Sequence, residues 1–243
     1  MLQFWQPLIT FIIMILINFI YPLINGTSVG NMPKNEKVEV SPANYAFSIW
    51  GVIYIGLMLL IIFKSNWTKN SLNYFAMSCI FNSLWIIVWT TMPRKKTNIY
   101  FGNIMLLLLV ISLFLFWNEN LTSKLKKIHS NNIIFQNIIA LYLSWCIGAS
   151  LINTGISLKS FVGDNIINVF IISCLCIFHI GWQLYGTLFA GDTSFIKDSL
   201  MVPVAGLWTS IAIFNNGRTP DLGLISTIVT SISLCINLVN LYK

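Results

Sequence analysis

The residues best suited to hold a ligand are tryptophans and asparagines spaced three or four positions apart inside apolar stretches of this sequence. They form three sets: Trp50 and Tyr54, Asn82 and Trp85, and Trp145, Ala149 and Asn153. In a helix each set lies along one face, because residues three or four apart are neighbours. Indole rings supply flat apolar walls and amide groups supply polar fixing points. The sets predict an intramembrane cavity for a flat apolar ligand, with ordinary helix packing as the alternative.

One histidine is a further candidate for polar chemistry. His179 lies in an apolar stretch, and Gln183 shares its helix face four positions later. A haem ligand or a proton-handling residue is one interpretation of this pair. The other is a histidine that is hydrogen-bonded to a neighbouring helix, since no second histidine or carboxylate is near it in the sequence.

A stripe of small polar side chains marks the last apolar stretch. It consists of Ser226, Thr230, Ser233 and Asn237. Hydrogen bonding between helices accounts for such a stripe. The alternative is a transporter or channel for a small solute, in which the last three helices complete a polar path past His179 and Gln183.

Catalytic chemistry has no support in the sequence. It contains no nucleophile elbow, no HExxH and no P-loop. The seven acidic residues lie in loops or at predicted helix ends, where solvation is expected. The five cysteines lie in apolar stretches and lack the spacing of a zinc site. We therefore assign no catalytic residue, no metal site and no required cofactor.

The elements that must position these residues are transmembrane helices. Hydrophobic residues make up 56% of the 243 residues and charged residues only 9%, against about 25% charged residues in soluble domains. A helix needs about 20 apolar residues to cross the hydrocarbon core. Eight segments reach or approach that length: 4–25, 45–63, 72–92, 97–117, 133–157, 166–190, 199–215 and 221–242. The sequence predicts an all-α, multi-pass integral membrane bundle of about eight transmembrane helices.

The charge distribution also fits a lipid environment. The formal net charge is +7, and the basic residues lie in short connections, such as the basic turn at residues 93–96, where they can contact lipid headgroups. This distribution disfavours nucleic-acid binding. Lysine and arginine are equally numerous on the two predicted sides, so the orientation stays open.

Three of the stretches resemble one membrane-protein family. Segment 41–54 has the order Pro…Phe…Trp-x-x-x-Tyr and ends in Trp50 and Tyr54. Asn82 and Trp85 are similar to a Leu-Asn-x-x-Trp pattern, and segment 142–153 is similar to Tyr-x-x-Trp-x-x-x-Ala-Thr-x-x-Asn. In order and spacing they resemble the translocator protein family, also called the tryptophan-rich sensory proteins or peripheral-type benzodiazepine receptors. The resemblance covers about residues 1–157.

The resemblance implies a five-helix core with a cavity for porphyrins, haem, sterols or isoquinoline-type drugs. It implies that Trp50 and Trp145 line this cavity and that Asn82, Ala149 and Asn153 lie in or near it. The expected partners are the lipid bilayer and a small hydrophobic ligand, with a homodimer as a candidate assembly. Binding, transport or sensing of that ligand is the expected activity.

Two departures from the family pattern complete the expectations. The first long connection, residues 26–44, lacks the family's Trp-Tyr and Lys-Pro-x-Trp and is long enough to form a lid over one face. Residues 158–243 add three helices, similar to longer relatives of the family. We expect a five-helix domain over 1–157 and a three-helix extension over 158–243 packed on it.

Overall fold

The computed structural model describes residues 2–26, 38–63, 67–91, 96–125, 133–186 and 193–241. Within these ranges the chain is all-helical and contains no strand. The α-helices are α1 (Leu2–Ile24), α2 (Ile49–Phe63), α3 (Lys69–Thr90), α4 (Lys96–Leu125), α5 (Ile133–Leu158), α6 (Asp164–Leu184), α7 (Thr193–Asp198), α8 (Met201–Asn216) and α9 (Pro220–Leu241). One 3-10 turn, Asn44–Ser48, leads into α2.

The prediction of a multi-pass helical membrane protein is confirmed. Each of the eight predicted segments corresponds to a helix, and seven of them are long and apolar enough to cross a membrane: α1, α3 to α6, α9, and α2 together with the 3-10 turn before it (Asn44–Phe63). The exception is α8, whose 16 residues rise only about 24 Å, less than the hydrocarbon thickness of about 30 Å. It ends at Gly217, which has the left-handed φ of 71° that glycine adopts without steric cost.

The short helix α7 was not predicted. The segment expected at 166–190 ends as an α-helix at Leu184, and residues 187–192 lie outside the described residues. At the end of α7, the side chain of Asp198 is fully buried. This acidic residue therefore departs from the expectation that carboxylates at helix ends are solvated.

The chain divides into two compact units. The first comprises Met1–Lys34 and Phe47–Ile139, and the second comprises Asn35–Ala46 and Ala140–Lys243. α5 accordingly begins in the first unit and continues in the second. The sequence analysis expects a five-helix ligand-binding domain over residues 1–157 and a three-helix extension over residues 158–243. This assignment of helices to domains stays a prediction.

The first unit is organised around α3, which packs against α1 and α4. The helix begins at a capping hydroxyl, because Thr68 Oγ1 accepts a hydrogen bond from Ser71 N at 3.0 Å. The same hydroxyl donates to Glu119 Oε1 on α4 at 2.9 Å. Nearby, the rings of Trp67 and Phe116 stack with centroids 5.9 Å apart. These contacts fix one end of α3 against α4.

In the second unit, residues 38–46 form a segment that is docked on the C-terminal helices. Ala43 N donates a hydrogen bond to Ala212 O of α8 at 2.9 Å. Asn216 Nδ2, at the end of α8, donates to Ser41 O at 2.8 Å. Backbone groups of this docked segment thus find partners on α8 that a loop would otherwise find in water.

Side chains complete the docking. Trp208 Nε1 donates to Ala46 O at 3.0 Å, and the Tyr45 ring meets the Trp208 ring edge-on with centroids 5.5 Å apart. Asn168 Nδ2 of α6 donates to Glu39 Oε2 at 2.7 Å. Of the connection expected to form a lid, residues 27–37 lie outside the described residues, and residues 38–46 are held by α6 and α8.

We predict that Asn216→Ala lowers the free energy of unfolding by about 1–3 kcal/mol, because it leaves the buried Ser41 carbonyl without its donor. Thermal unfolding in detergent, followed by circular dichroism, measures the change. The matched control is Asn215→Ala, which removes an exposed hydrogen bond to Tyr45 Oη and should cost about 0.5 kcal/mol or less. Equal effects of the two variants would contradict the docking role of Asn216.

Candidate functional site

Four aromatic rings of the first unit form a continuous stack that we call the aromatic ladder: Tyr54, Trp50, Trp85 and Trp89. Trp50 stacks on Tyr54 with ring centroids 5.5 Å apart and lies 6.0 Å from Trp85. Trp85 stacks on Trp89 at 6.1 Å. The three tryptophans are 8%, 2% and 5% exposed in chain order. Spacings of this size are those of favourable offset aromatic pairs.

A hydrogen-bond network ties the ladder to three helices. Tyr54 Oη of α2 donates to Asn18 Oδ1 of α1 at 2.8 Å. Asn18 Nδ2 in turn donates to Asn82 Oδ1 of α3 at 2.8 Å and to Met14 O of its own helix at 2.8 Å. Because Asn18 uses both its oxygen and its nitrogen, the side-chain amide of Asn82 is held in one orientation.

The nitrogen donors of this site include two that have no partner among the described residues. They are Asn82 Nδ2 and Trp85 Nε1, both buried. A buried donor without an acceptor is costly, by about 1–3 kcal/mol. The two residues are three positions apart on one helix face. A ligand that carries an acceptor oxygen could satisfy both donors.

Sequence reasoning missed Asn18, which is central to this network. The signal was present, since Asn18 is an amide inside an apolar run, four positions after Met14 and three before Tyr21. Tyr21 Oη also lies 3.2 Å from Thr91 Oγ1 at the end of α3. An amide and a phenol on one face of α1 mark the side that meets polar groups of α3.

The remaining residues of the predicted cavity lie on α5 in the second unit. Trp145 and Asn153 are buried and Ala149 is half-buried. Asn153 Nδ2 donates to Ala149 O at 3.2 Å, while Asn153 Oδ1 finds no partner in the described part of the chain. The structure thus brings Trp50, Tyr54, Asn82 and Trp85 together. That the α5 residues face them stays a prediction.

His179 and Gln183 lie on α6 at its contacts with α8 and α9. The His179 ring is 2% exposed and packs against Gly206, and its Nδ1 has no hydrogen-bond partner among the described residues. Gln183 Oε1 accepts from Ser233 Oγ at 3.4 Å. Within the described ranges, no group of three or more His, Cys, Asp or Glu side chains could hold a metal ion.

The polar stripe of α9 is buried along its whole length. Ser226 Oγ donates to Gly223 O at 3.1 Å, and Thr230 Oγ1 donates to Ser226 O at 2.8 Å. The hydroxyls of Ser226 and Thr230 therefore donate hydrogen bonds to backbone carbonyls of their own helix. Ser233 instead donates to Gln183 of α6. A groove of about 200 Å³, lined mostly by aliphatic side chains, lies beside Gln183 and Ser233. Whether a small solute passes here stays a prediction.

We predict that Gly206→Ala destabilises the second unit by about 1–3 kcal/mol through overpacking, because the added methyl group would overlap the His179 imidazole at Nε2. The matched control is Gly181→Ala, at a helical glycine with no atom within 4 Å of the added methyl group. That change should be neutral or stabilising by helix propensity. Thermal unfolding midpoints in detergent compare the two.

The combination Gly206→Ala with His179→Ala serves as the second control. Removing the imidazole makes room for the added methyl group. Gly206→Ala should therefore destabilise the His179→Ala protein much less than it destabilises the wild type. A Gly206→Ala protein that unfolds at the same temperature as Gly181→Ala would contradict the close packing of α6 and α8.

Comparison with known proteins identifies a family. A family model described as TSPO-like protein matches residues 4–242. The matched range extends through α6 to α9. No curated protein and no solved structure matches the chain. This multi-pass helical chain, which the family model matches along almost its whole length, belongs to the TSPO-like protein family.

Proposed function

We propose that this protein binds a flat, largely apolar ligand with an acceptor oxygen, of the porphyrin, haem or sterol class, against the aromatic ladder. The observation that carries the proposal is the pair of buried donors, Asn82 Nδ2 and Trp85 Nε1, beside the stacked rings. The proposed activity is binding of this ligand, together with its transport or sensing. No catalytic step is assigned to the chain.

The chemistry of the donors narrows the ligand class. An indole N–H and an amide NH₂ can only donate hydrogen bonds. The amide of Asn82 cannot turn its oxygen toward the ligand without breaking the bond from Asn18. A porphyrin propionate, a carbonyl or a sterol hydroxyl oxygen would complement these donors. A pure hydrocarbon would leave them unsatisfied.

The ladder supplies the apolar part of the recognition. Trp50, Trp85 and Trp89 present large flat surfaces, which favour a planar or nearly planar ring system over a flexible chain. The family resemblance adds Trp145, Ala149 and Asn153 as a further wall. That wall rests on the family resemblance and is included in the proposal on that ground.

We predict that Asn82→Leu and Trp85→Phe each weaken protoporphyrin IX binding about three- to tenfold, the loss of one hydrogen bond of about 1 kcal/mol. Trp85→Phe keeps an aromatic ring, though a smaller one, in the ladder and removes the N–H donor. Titration of the detergent-purified protein, followed by the Soret absorbance of the porphyrin, gives the dissociation constants.

Trp67→Phe is the matched control, because Trp67 is buried in the separate stack with Phe75 and Phe116. Its affinity should equal that of the wild type. Trp145→Phe, measured in the same way, tests the further wall. Folded Asn82→Leu and Trp85→Phe proteins that bind protoporphyrin as tightly as the control would show that these donors do not hold the ligand.

A further inference from the structure

A surface cavity of about 380 Å³, open on one side, lies where α3 ends and α4 begins. It is lined by Ile87, Val88 and Thr91 of α3 and by Thr97, Asn98 and Phe101 of α4. Its volume falls within the range of about 300–1,000 Å³ that is usual for small-molecule sites. It is separate from the aromatic ladder, since no ladder residue is among its walls.

The polarity of the cavity changes with depth. Its hydroxyl and amide groups, from Thr91, Thr97 and Asn98, sit at the adjoining ends of the two spans, Lys69–Thr90 and Thr97–Leu121. One helical turn further in, at about 6 Å, the walls are the apolar side chains of Ile87, Val88 and Phe101. A molecule that fills this space must be polar at the level of the helix ends and apolar below it.

The polar rim offers hydrogen-bonding groups to a ligand. The side chains of Thr97 and Asn98 make no hydrogen bond within the part of the chain that the structure describes. Thr91 Oγ1, by contrast, donates to Ile87 O at 2.6 Å and meets Tyr21 Oη at 3.2 Å. One side of the rim is therefore held in place, and the other side is available to a ligand.

The charge of the sequence around the cavity favours an anion. The chain between Thr91 and Thr97 carries Arg94, Lys95 and Lys96, and no acidic residue occurs between Glu39 and Glu119. Residues 92–95 lie outside the described residues, and their charge is known from the sequence. Basic residues beside a span attract anionic lipid headgroups, by about 1 kcal/mol each near the membrane surface.

We propose that this cavity binds an anionic phospholipid. Its phosphate and glycerol oxygens would meet Thr97 and Asn98 at the rim, and the first part of an acyl chain would lie against Ile87, Val88 and Phe101. The lipid site is independent of the proposed ligand site on the ladder, and either can fail without the other.

The test is native mass spectrometry of delipidated protein titrated with dioleoyl phosphatidylglycerol and, separately, with dioleoyl phosphatidylcholine. The two lipids share their acyl chains, so a difference in affinity reports on the headgroup. The variants are Thr97→Val combined with Asn98→Leu, which removes the rim donors, and Val88→Trp, which fills the cavity. The control is Thr227→Val, at a half-buried threonine of α9 whose hydroxyl bonds to Gly223 O at 2.7 Å.

We expect the wild type and Thr227→Val to bind one phosphatidylglycerol more tightly than phosphatidylcholine. The rim variant should bind phosphatidylglycerol about tenfold more weakly, and Val88→Trp should lose that lipid. Wild-type affinity in a folded rim variant would overturn the proposal, whatever the behaviour of Val88→Trp. Displacement of the lipid by millimolar inorganic phosphate would also overturn it, because the site would then take a soluble anion.

Discussion

The amide of Asn18 is the contact on which the polar interior of the first unit depends. Inside a membrane no water replaces a missing hydrogen-bond partner, so each buried polar group must be satisfied by the protein or by a ligand. Asn18 receives the Tyr54 hydroxyl and donates to Asn82, and it thereby joins α1, α2 and α3 at the ladder. With the Asn82 oxygen occupied, the Asn82 nitrogen and the Trp85 indole nitrogen stay buried without a partner among the described residues, and in the proposed function they bind the ligand.

The second unit satisfies its polar groups differently. Its C-terminal helices receive the docked segment from early in the chain. Asn216 and Trp208 donate to backbone carbonyls of that segment, and Asn168 donates to the Glu39 carboxylate, so that these groups replace water. This arrangement gives α8 a role that does not require it to cross the membrane. A helix of 16 residues is short for a span and is well suited to holding a connection in place.

The sequence predicted the features that depend on short-range patterns along the chain. Apolar run length located the helices, and the spacing of Trp50, Tyr54, Asn82 and Trp85 placed them on common faces that the structure brings together. Asn18 was missed because a single amide in an apolar helix has no periodic signal. The docking of residues 38–46 on α8 was unpredictable for another reason, since Ser41 and Asn216 are 175 positions apart and such pairing leaves no local pattern. The length of α8 was decided by its capping glycine.

The most direct test of the ladder site is a thermodynamic cycle between ligand and protein. Protoporphyrin IX and etioporphyrin, which lacks carboxylates, would each be titrated against the wild type and against the Asn82→Leu, Trp85→Phe double variant. Partition of the porphyrins into detergent cancels in this comparison. For each protein, the ratio of the two dissociation constants gives its preference for protoporphyrin IX over etioporphyrin. The account predicts that this preference is about tenfold or more greater in the wild type than in the double variant. An equal preference in both proteins would contradict it, because the two buried donors would then contribute nothing to recognition.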